Sequence, residues 1–345
     1  MMRPIETLKK MLSVPRQYST GLFDFPRPKK CKNWLARNTW RRASGQPLGI
    51  DIGHSAVKVV ALDARRDPPC IAGYAIEPRP SLERTASTKA IAQAVSNASE
   101  TIGDTAIALP SAATLNRLIT LPAGLNDAAI AARMQLTVQQ ALRQPPNTLY
   151  CDFRALHNAS ANMTAYELTA CRRTDLEDRV ALLKAAHLDC QVVDTQAHAL
   201  ARSVQLSGSG HSFKSVIGLI DIGQTTLTFS VLHQQRLIHS QDTTLPEPIT
   251  TASLRTAVQR ALALYQSNPE HPNIERLKVS GGGAVLLATT AGCLIDELPL
   301  EPINPLPVLG THEAIDPAAI QTDLPRLLIA LGLALHASDR HAHWR

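Results

Sequence analysis

Paired cysteines, aromatic rings and an unbroken apolar run of membrane length are what this 345-residue chain most lacks. Its six cysteines, Cys31, Cys70, Cys151, Cys171, Cys190 and Cys293, contain no Cys-x-x-Cys pair. Neither a zinc ribbon nor a disulfide framework is signalled, and they read as small buried hydrophobes of a reducing compartment. Aromatic residues make up 4%, a composition that suits helix-coated sheets better than an all-β sandwich. The 17 Gly and 23 Pro follow no short period, which excludes collagen-like and low-complexity architecture. The apolar stretch Leu327–Ala337 falls well short of a membrane span. A hydrophobic content of 44% is nevertheless enough for a sizeable core.

The formal charge of +6 sits at one end. Residues 1–46 hold eleven of the 35 Lys and Arg but only Glu6 and Asp24 of the 29 acids, so acids outnumber bases in the rest of the chain. The globular part is mildly acidic, and no nucleic-acid partner is expected. The basic tail, interrupted by Pro4, Pro15, Pro26 and Pro28, reads as disordered. It would be drawn to an anionic membrane surface, with Trp34, Leu35 and Trp40 as shallow anchors. A solvated extension, or a true start near Gly21-Leu22-Phe23, fits the same residues. Arg41-Arg42 is not followed by the apolar segment that a twin-arginine export signal needs.

The chain contains an internal near-repeat. Residues 48–62 read LGIDIGHSAVKVVAL and residues 218–232 read GLIDIGQTTLTFSVL. Each is an apolar run ending in Asp-Ile-Gly, a small polar turn and a second run rich in β-branched residues, the pattern of a hairpin. A third extended segment follows each copy, Cys70–Ile76 and Leu237–Gln241. Two lobes facing each other are expected. Gly53 and Gly223 would let backbone approach a ligand and leave N–H groups free for phosphate oxygens, with His54, Ser55, Gln224 and Thr225 at the tips. Asp51 and Asp221, facing across the cleft, suit a hydrated magnesium ion carried by a nucleotide. Lys58 could reach back to a phosphate, whereas Thr228 occupies that place in the second copy.

Leu277–Ser280 is a short strand candidate followed by Gly281-Gly282-Gly283 and the helix-like Ala284–Leu287. A glycine run between strand and helix allows a flat ring to lie on bare backbone. Any one of these signals is weak, but their order (hairpin, hairpin, Gly-rich strand and helix) is specific.

In these residues, and in LPAGLNDAAIAARMQL (121–136), DCQVVDTQAHALARS (189–203) and TDLPRLLIALGLALHASD (322–339), the chain resembles the actin-like ATPase superfamily. Within it, the sequence is most similar to the PilM family of type IV pilus assembly. The resemblance implies an α/β, two-lobed, actin-like (ribonuclease H-like) fold with an inserted FtsA-type subdomain. It implies ATP with Mg as cofactor, held by the two Asp-Ile-Gly bends and Gly281–Gly283, with Asp51 and Asp221 toward the metal. It implies a cytoplasmic scaffold, peripheral to the inner membrane, that binds the cytoplasmic N-terminal segment of a PilN-like bitopic protein. PilO- and PilP-like and pilus motor proteins would be reached indirectly.

The expected division is a tail at 1–46, a first-lobe core at 47–103, an inserted subdomain at 104–187, a return to the first lobe at 188–206, and a second lobe with C-terminal helix at 207–345. Within the insertion, Asn126 should cap a helix through Leu142, and Thr174-Asp175-Leu176-Glu177 reads as a capping box opening a helix to His187. Only Thr243–Arg276, with one helix pattern over Ser253–Tyr265, separates the second hairpin from the glycine run. The second lobe is therefore expected to be shortened, with weaker hold on adenosine and little or no catalysis. Asp194 and Gln196 are candidates for positioning an attacking water, or else a helix cap and a first-turn residue. His336, His341 and His343 are solvated or weakly metal-binding. The alternatives are an active actin-like ATPase or sugar kinase, and an FtsA-like filament former.

Overall fold

The computed structural model describes residues 45–160, 162–207, 215–287 and 294–342, with the side chains of 157–160 and 339–342 outside the description. Residues 1–44 of the basic tail, Cys31 among them, Cys293 and the His341 and His343 side chains thus lie outside the described residues, while Gln46, the last residue assigned to the tail, opens the first strand.

Each Asp-Ile-Gly copy forms the hairpin that its alternation predicts. In the first half, β1 (Gln46–Ile52) pairs antiparallel with β2 (Ala56–Asp63), which pairs with β3 (Cys70–Pro78). In the second, β9 (Val216–Ile222), β10 (Thr226–His233) and β11 (Arg236–Thr244) repeat the meander. Asp51 stands opposite Lys58 in one register and Asp221 opposite Thr228 in the other. β1 continues in parallel to β4 (Ile102–Leu109) and then β8 (Cys190–Thr195), giving the sheet order β3-β2-β1-β4-β8. The second sheet is ordered β11-β10-β9-β12-β14-β13, with β12 at Arg276–Ser280, β13 at Leu294–Ile295 and β14 at Leu298–Pro302.

One face of the first sheet is covered by α1 (Arg84–Ala98), from which Ala90, Ile91, Ala94 and Val95 are buried. The expected inserted unit at 104–187 divides in the structure. β4 is a central strand of the first sheet, because its run Thr105–Leu109 is buried on both faces as parallel strands are. The helix α3 (Arg173–Ala185) also packs its Leu176 and Leu183 on that sheet. The separate unit is the stretch between them: a 3-10 turn at Ser111–Ala113, β5 (Thr114–Pro122), α2 (Asp127–Leu142), β6 (Leu149–Ser160) and β7 (Met163–Arg172). These three strands form their own sheet, β5-β7-β6. Asn126 caps α2 through the Ala129 N–H, and Ile130, Met134 and Val138 face the sheet. The expected capping box at Thr174 does not form: α3 begins two residues earlier, after Arg172, with no side-chain cap.

Between β11 and β12 runs one helix, α5 (Thr251–Gln266), closed by a capping box of Thr250 and Ser253 and burying Leu254, Val258, Leu262 and Tyr265.

The two sheets share the helices between them. After the short helices α6 (Ala284–Leu287) and α7 (Leu306–Leu309) comes α8 (Pro317–Ala342), which with α4 (Gln196–Leu206) joins strands of both lobes in one core that includes Val60, Ile71, Ala106, Ile217, Leu219 and Leu232. They cross at Gly332, where a Cβ would stand 1.8 Å from the Ala199 carbonyl oxygen. Pro317–Ser338 has the length and apolarity of a membrane span, yet 61% of its most apolar window is buried inside the protein. Its hydrophobicity therefore answers to two lobes that press on it. A strap from the second lobe adds to the first sheet's edge: the Ile71 N–H donates to Gly310 O at 3.2 Å and the His312 N–H to Ile71 O at 2.8 Å.

Candidate functional site

The Asp-Ile-Gly bends lie at the ends of β1 and β9 that face each other. Asp51 is almost fully buried, and its two oxygens accept from Lys58 Nζ at 2.9 Å and Gln196 Nε2 at 3.2 Å. Asp221 stays partly accessible and accepts from Ser280 Oγ at 2.8 Å. The Asp51 charge acts on Asp221, which places the two carboxylates near each other. Burial, joined by the charges of Asp51 and Asp242, pushes the Asp221 carboxyl up to about 6 against the Ser280 hydrogen bond and Lys58.

A carboxyl raised in this way favours the folded state when protonated. The contribution is full below the ordinary value of 3.8 and is lost as pH rises through about 6. Asp221→Asn should therefore melt higher than the parent at pH 7.5, by about 1–2 kcal/mol after screening by cleft solvent, and equally at pH 4. Equal melting at both pH values would contradict the assignment.

The glycines serve differently from the expectation. The N–H groups of Gly53 and Gly223 are not free for a ligand; they donate to Ala56 O at 3.0 Å and Thr226 O at 2.9 Å, because a two-residue tip closes each hairpin on itself. A Cβ on Gly53 would lie 2.5 Å from Lys58 Nζ, so glycine there makes room for the ammonium. Gly281 has a positive φ of 90° and would press a Cβ on the Ile222 carbonyl at 2.3 Å; Gly283 would meet the Ile222 side chain at the same distance. Both are needed for packing of the strand–helix turn on β9. Gly282 alone faces open space. His54, Ser55, Gln224 and Gly223 are exposed, with Thr225 half-buried beside them.

Gln196 is brought to the site as the first residue of α4, while Asp194 is not. Thr195 caps α4 by accepting from the His198 N–H. Asp194 is fully buried and bonded to Arg202 Nη2 at 3.0 Å and His336 Nδ1 at 2.8 Å. His336 is thus a structural partner of an aspartate. Among the described residues no group of three or more His, Cys, Asp or Glu is placed to hold a metal. Asp51 and Asp221 can serve only an ion that arrives with phosphate and water completing its shell, as magnesium does with a nucleotide.

The hairpin motifs contain none of the other groups that fix this region. Arg79 and Arg179 donate to the Gly53 and Ile52 carbonyls, each at 2.8 Å. Asp242 of β11 accepts from Thr228 Oγ1 at 2.8 Å and from the Ala112 N–H, joining the second lobe to the turn before β5. Glu167 of β7 meets His198 Nε2 at 2.8 Å. Ser280, beside the glycine run, was within reach of motif reading; the others depend on contacts between distant segments.

Two meanders of the same order, crossed by shared helices and meeting at paired aspartates, define a two-lobed actin-like protein. A solved PilM–PilN type IV pilus biogenesis complex is similar over 84% of this chain and 98% of that chain, at 21% identity and a TM-score of 0.72. Looser likenesses include the ethanolamine utilization protein EutJ from Carboxydothermus hydrogenoformans (12% identity, 96% of this chain and 99% of that chain, TM-score 0.47). Another is an inorganic polyphosphate/ATP-glucomannokinase from Arthrobacter sp. strain KM (13% identity, 86% and 100%, TM-score 0.48). The family profile of the type IV pilus assembly protein PilM matches residues 49–246, more than half of the sequence. The chain belongs to the PilM family.

Proposed function

We propose that this protein is a cytoplasmic scaffold of the type IV pilus inner-membrane platform, which takes the N-terminal segment of a PilN-like membrane protein on its inserted sheet and ATP with Mg between its lobes. The observation that carries the reading is membership of the PilM family, joined to an inserted sheet whose edge strand β5 leaves Leu118 exposed beside the point where Glu167 meets His198. Leu118 of β5 stands in one row with Glu167 of β7 and Arg154 of β6, on the face away from α2. It is 61% exposed, while Ile119 and Leu121 of the same strand pack beneath α2. Arg154 is spent on Glu167, so the exposed leucine at the sheet edge suits a short peptide that brings apolar side chains. The platform proteins beyond PilN would then be reached through that partner.

What supports a phosphate site here is the exposed His54, Ser55 and Gln224 with Thr225 beside them, together with Lys58 and the open side of Gly282. Turnover is proposed to be slow or absent, because Asp194 is committed to Arg202 and His336 and the Gln196 amide to Asp51.

Leu118→Arg should weaken binding of a fluorescently labelled PilN-type N-terminal peptide at least tenfold, about 1.4 kcal/mol, with melting unchanged because the site is exposed. Asp221→Asn should leave that binding intact. Peptide affinity unaltered by Leu118→Arg would move the partner site elsewhere.

A further inference from the structure

The first bend has had its hydrogen-bond acceptors taken up one by one. Arg179 Nη1 donates to Ile52 O at 2.8 Å, Arg79 Nη1 to Gly53 O at 2.8 Å, the Arg79 backbone N–H to Ser55 O at 2.7 Å, and the Gly53 N–H to Ala56 O at 3.0 Å. What the tip retains for a ligand is chiefly donors, the His54 and Ser55 N–H groups, and the Ser55 hydroxyl. The second bend reaches a similar state with backbone alone. There Ile222 O accepts from the Gly283 N–H at 3.1 Å, Thr225 O from the Leu245 N–H at 2.9 Å and Thr226 O from the Gly223 N–H at 2.9 Å.

The parallel isolates what the arginines do. Where the second lobe supplies an N–H from the glycine run to the carbonyl at the end of β9, the first lobe supplies a guanidinium from α3 to the carbonyl at the end of β1. Arg79 is anchored in turn, its Nε donating to Ser87 Oγ at 2.8 Å and Ser87 Oγ donating to Glu83 O at 2.7 Å. Arg179 lies within electrostatic reach of both Asp51 and Arg79. Drawing the carbonyl dipoles toward the guanidinium side leaves N–H dipoles on the other side, and two fixed positive charges stand behind them.

We infer that Arg79 and Arg179 are positioning residues that hold the first bend as a donor-rich cradle for a phosphate group. The inference rests on the reading of the cleft as a phosphate site. The two residues come from segments far apart in the chain, and neither belongs to the repeated hairpin.

The test uses the full chain with Arg79→Met, Arg179→Met and Arg179→Lys, titrated calorimetrically with inorganic tripolyphosphate, with ATP and magnesium, and with adenosine. Each methionine variant should weaken the two phosphate-bearing ligands about tenfold or more and change adenosine binding less than twofold. Arg179→Lys, which keeps the charge and one donor, should recover part of the loss. Hydrogen exchange of residues 51–57 should quicken in the methionine variants without any ligand, through release of the Gly53–Ala56 bond. Equal loss of adenosine and phosphate binding, or phosphate binding indifferent to the arginines, would overturn the inference while leaving the cleft a phosphate site. A parent protein that binds neither phosphate ligand would overturn the reading of the cleft itself, and the inference with it.

Discussion

Asp194→Ala is expected to lower the stability of the chain by about 3–5 kcal/mol, the cost of breaking a buried ion cluster by removal of one partner. Burial alone would push the Asp194 carboxyl up; Arg202 and His336 overcome it and hold the group well below the usual carboxylate range. The cluster joins three elements. Asp194 is the penultimate residue of β8 and also accepts from the Thr195 N–H at 2.7 Å, Arg202 lies on α4 and reaches Gly332 O of α8 at 2.8 Å, and His336 lies on α8. Without the carboxylate, a guanidinium and an imidazole are left facing each other at the joint of the lobes. A urea unfolding midpoint that shifts by less than the equivalent of about 1 kcal/mol would show that the joint is held by apolar packing alone.

Glu167 should carry the second large effect, because it is where the inserted sheet meets the first lobe. Burial opposes its charge, yet the His198 hydrogen bond and the Arg154 charge outweigh that and hold the carboxyl down to about 2. Its contribution is full above the ordinary value of 4.5 and is lost as pH falls through about 2. The difference of the two values corresponds to about 3 kcal/mol. Glu167→Gln is expected to lose about 2–3 kcal/mol at pH 7, with the gap to the parent narrowing between pH 5 and pH 3. A gap that is constant with pH would mean that the ion pair adds nothing beyond a neutral hydrogen bond. The same variant would loosen His198, whose Nδ1 meets Thr195 Oγ1 at 2.7 Å beside Gln196. Nucleotide affinity measured alongside stability would read how far the inserted sheet bears on the cleft.

Much of the architecture follows from local pattern. The alternation around each Asp-Ile-Gly specifies a hairpin, since a period of two puts one set of side chains inward and leaves little choice of register. Asn126 before Asp127 specifies a helix start, as its side-chain oxygen meets an otherwise unpaired N–H. Repetition of the hairpin specifies two lobes. The Thr174 capping box failed because α3 was free to begin two residues earlier, packed against the first sheet, and a cap is worth less than a buried helix face.

Boundaries between units were not legible for the same reason. β4 reads locally like any half-buried strand, and only its pairing to β1 and β8 assigns it to the first lobe. The apolar segment of α8 reads as a near-span because hydropathy records that a helix is buried but not by what.

The sequence by itself determined the two bends, their aspartates and the family to which the chain belongs, because short-range hydrogen bonding and side-chain period act within a few residues. Tertiary structure alone decided that Arg79 and Arg179 grip the first bend, that Gln196 reaches Asp51 and that Asp194 does not. Those outcomes depend on which segment is brought against which strand, and that is settled by burial of surface from segments 26 to 145 residues apart rather than by any local preference.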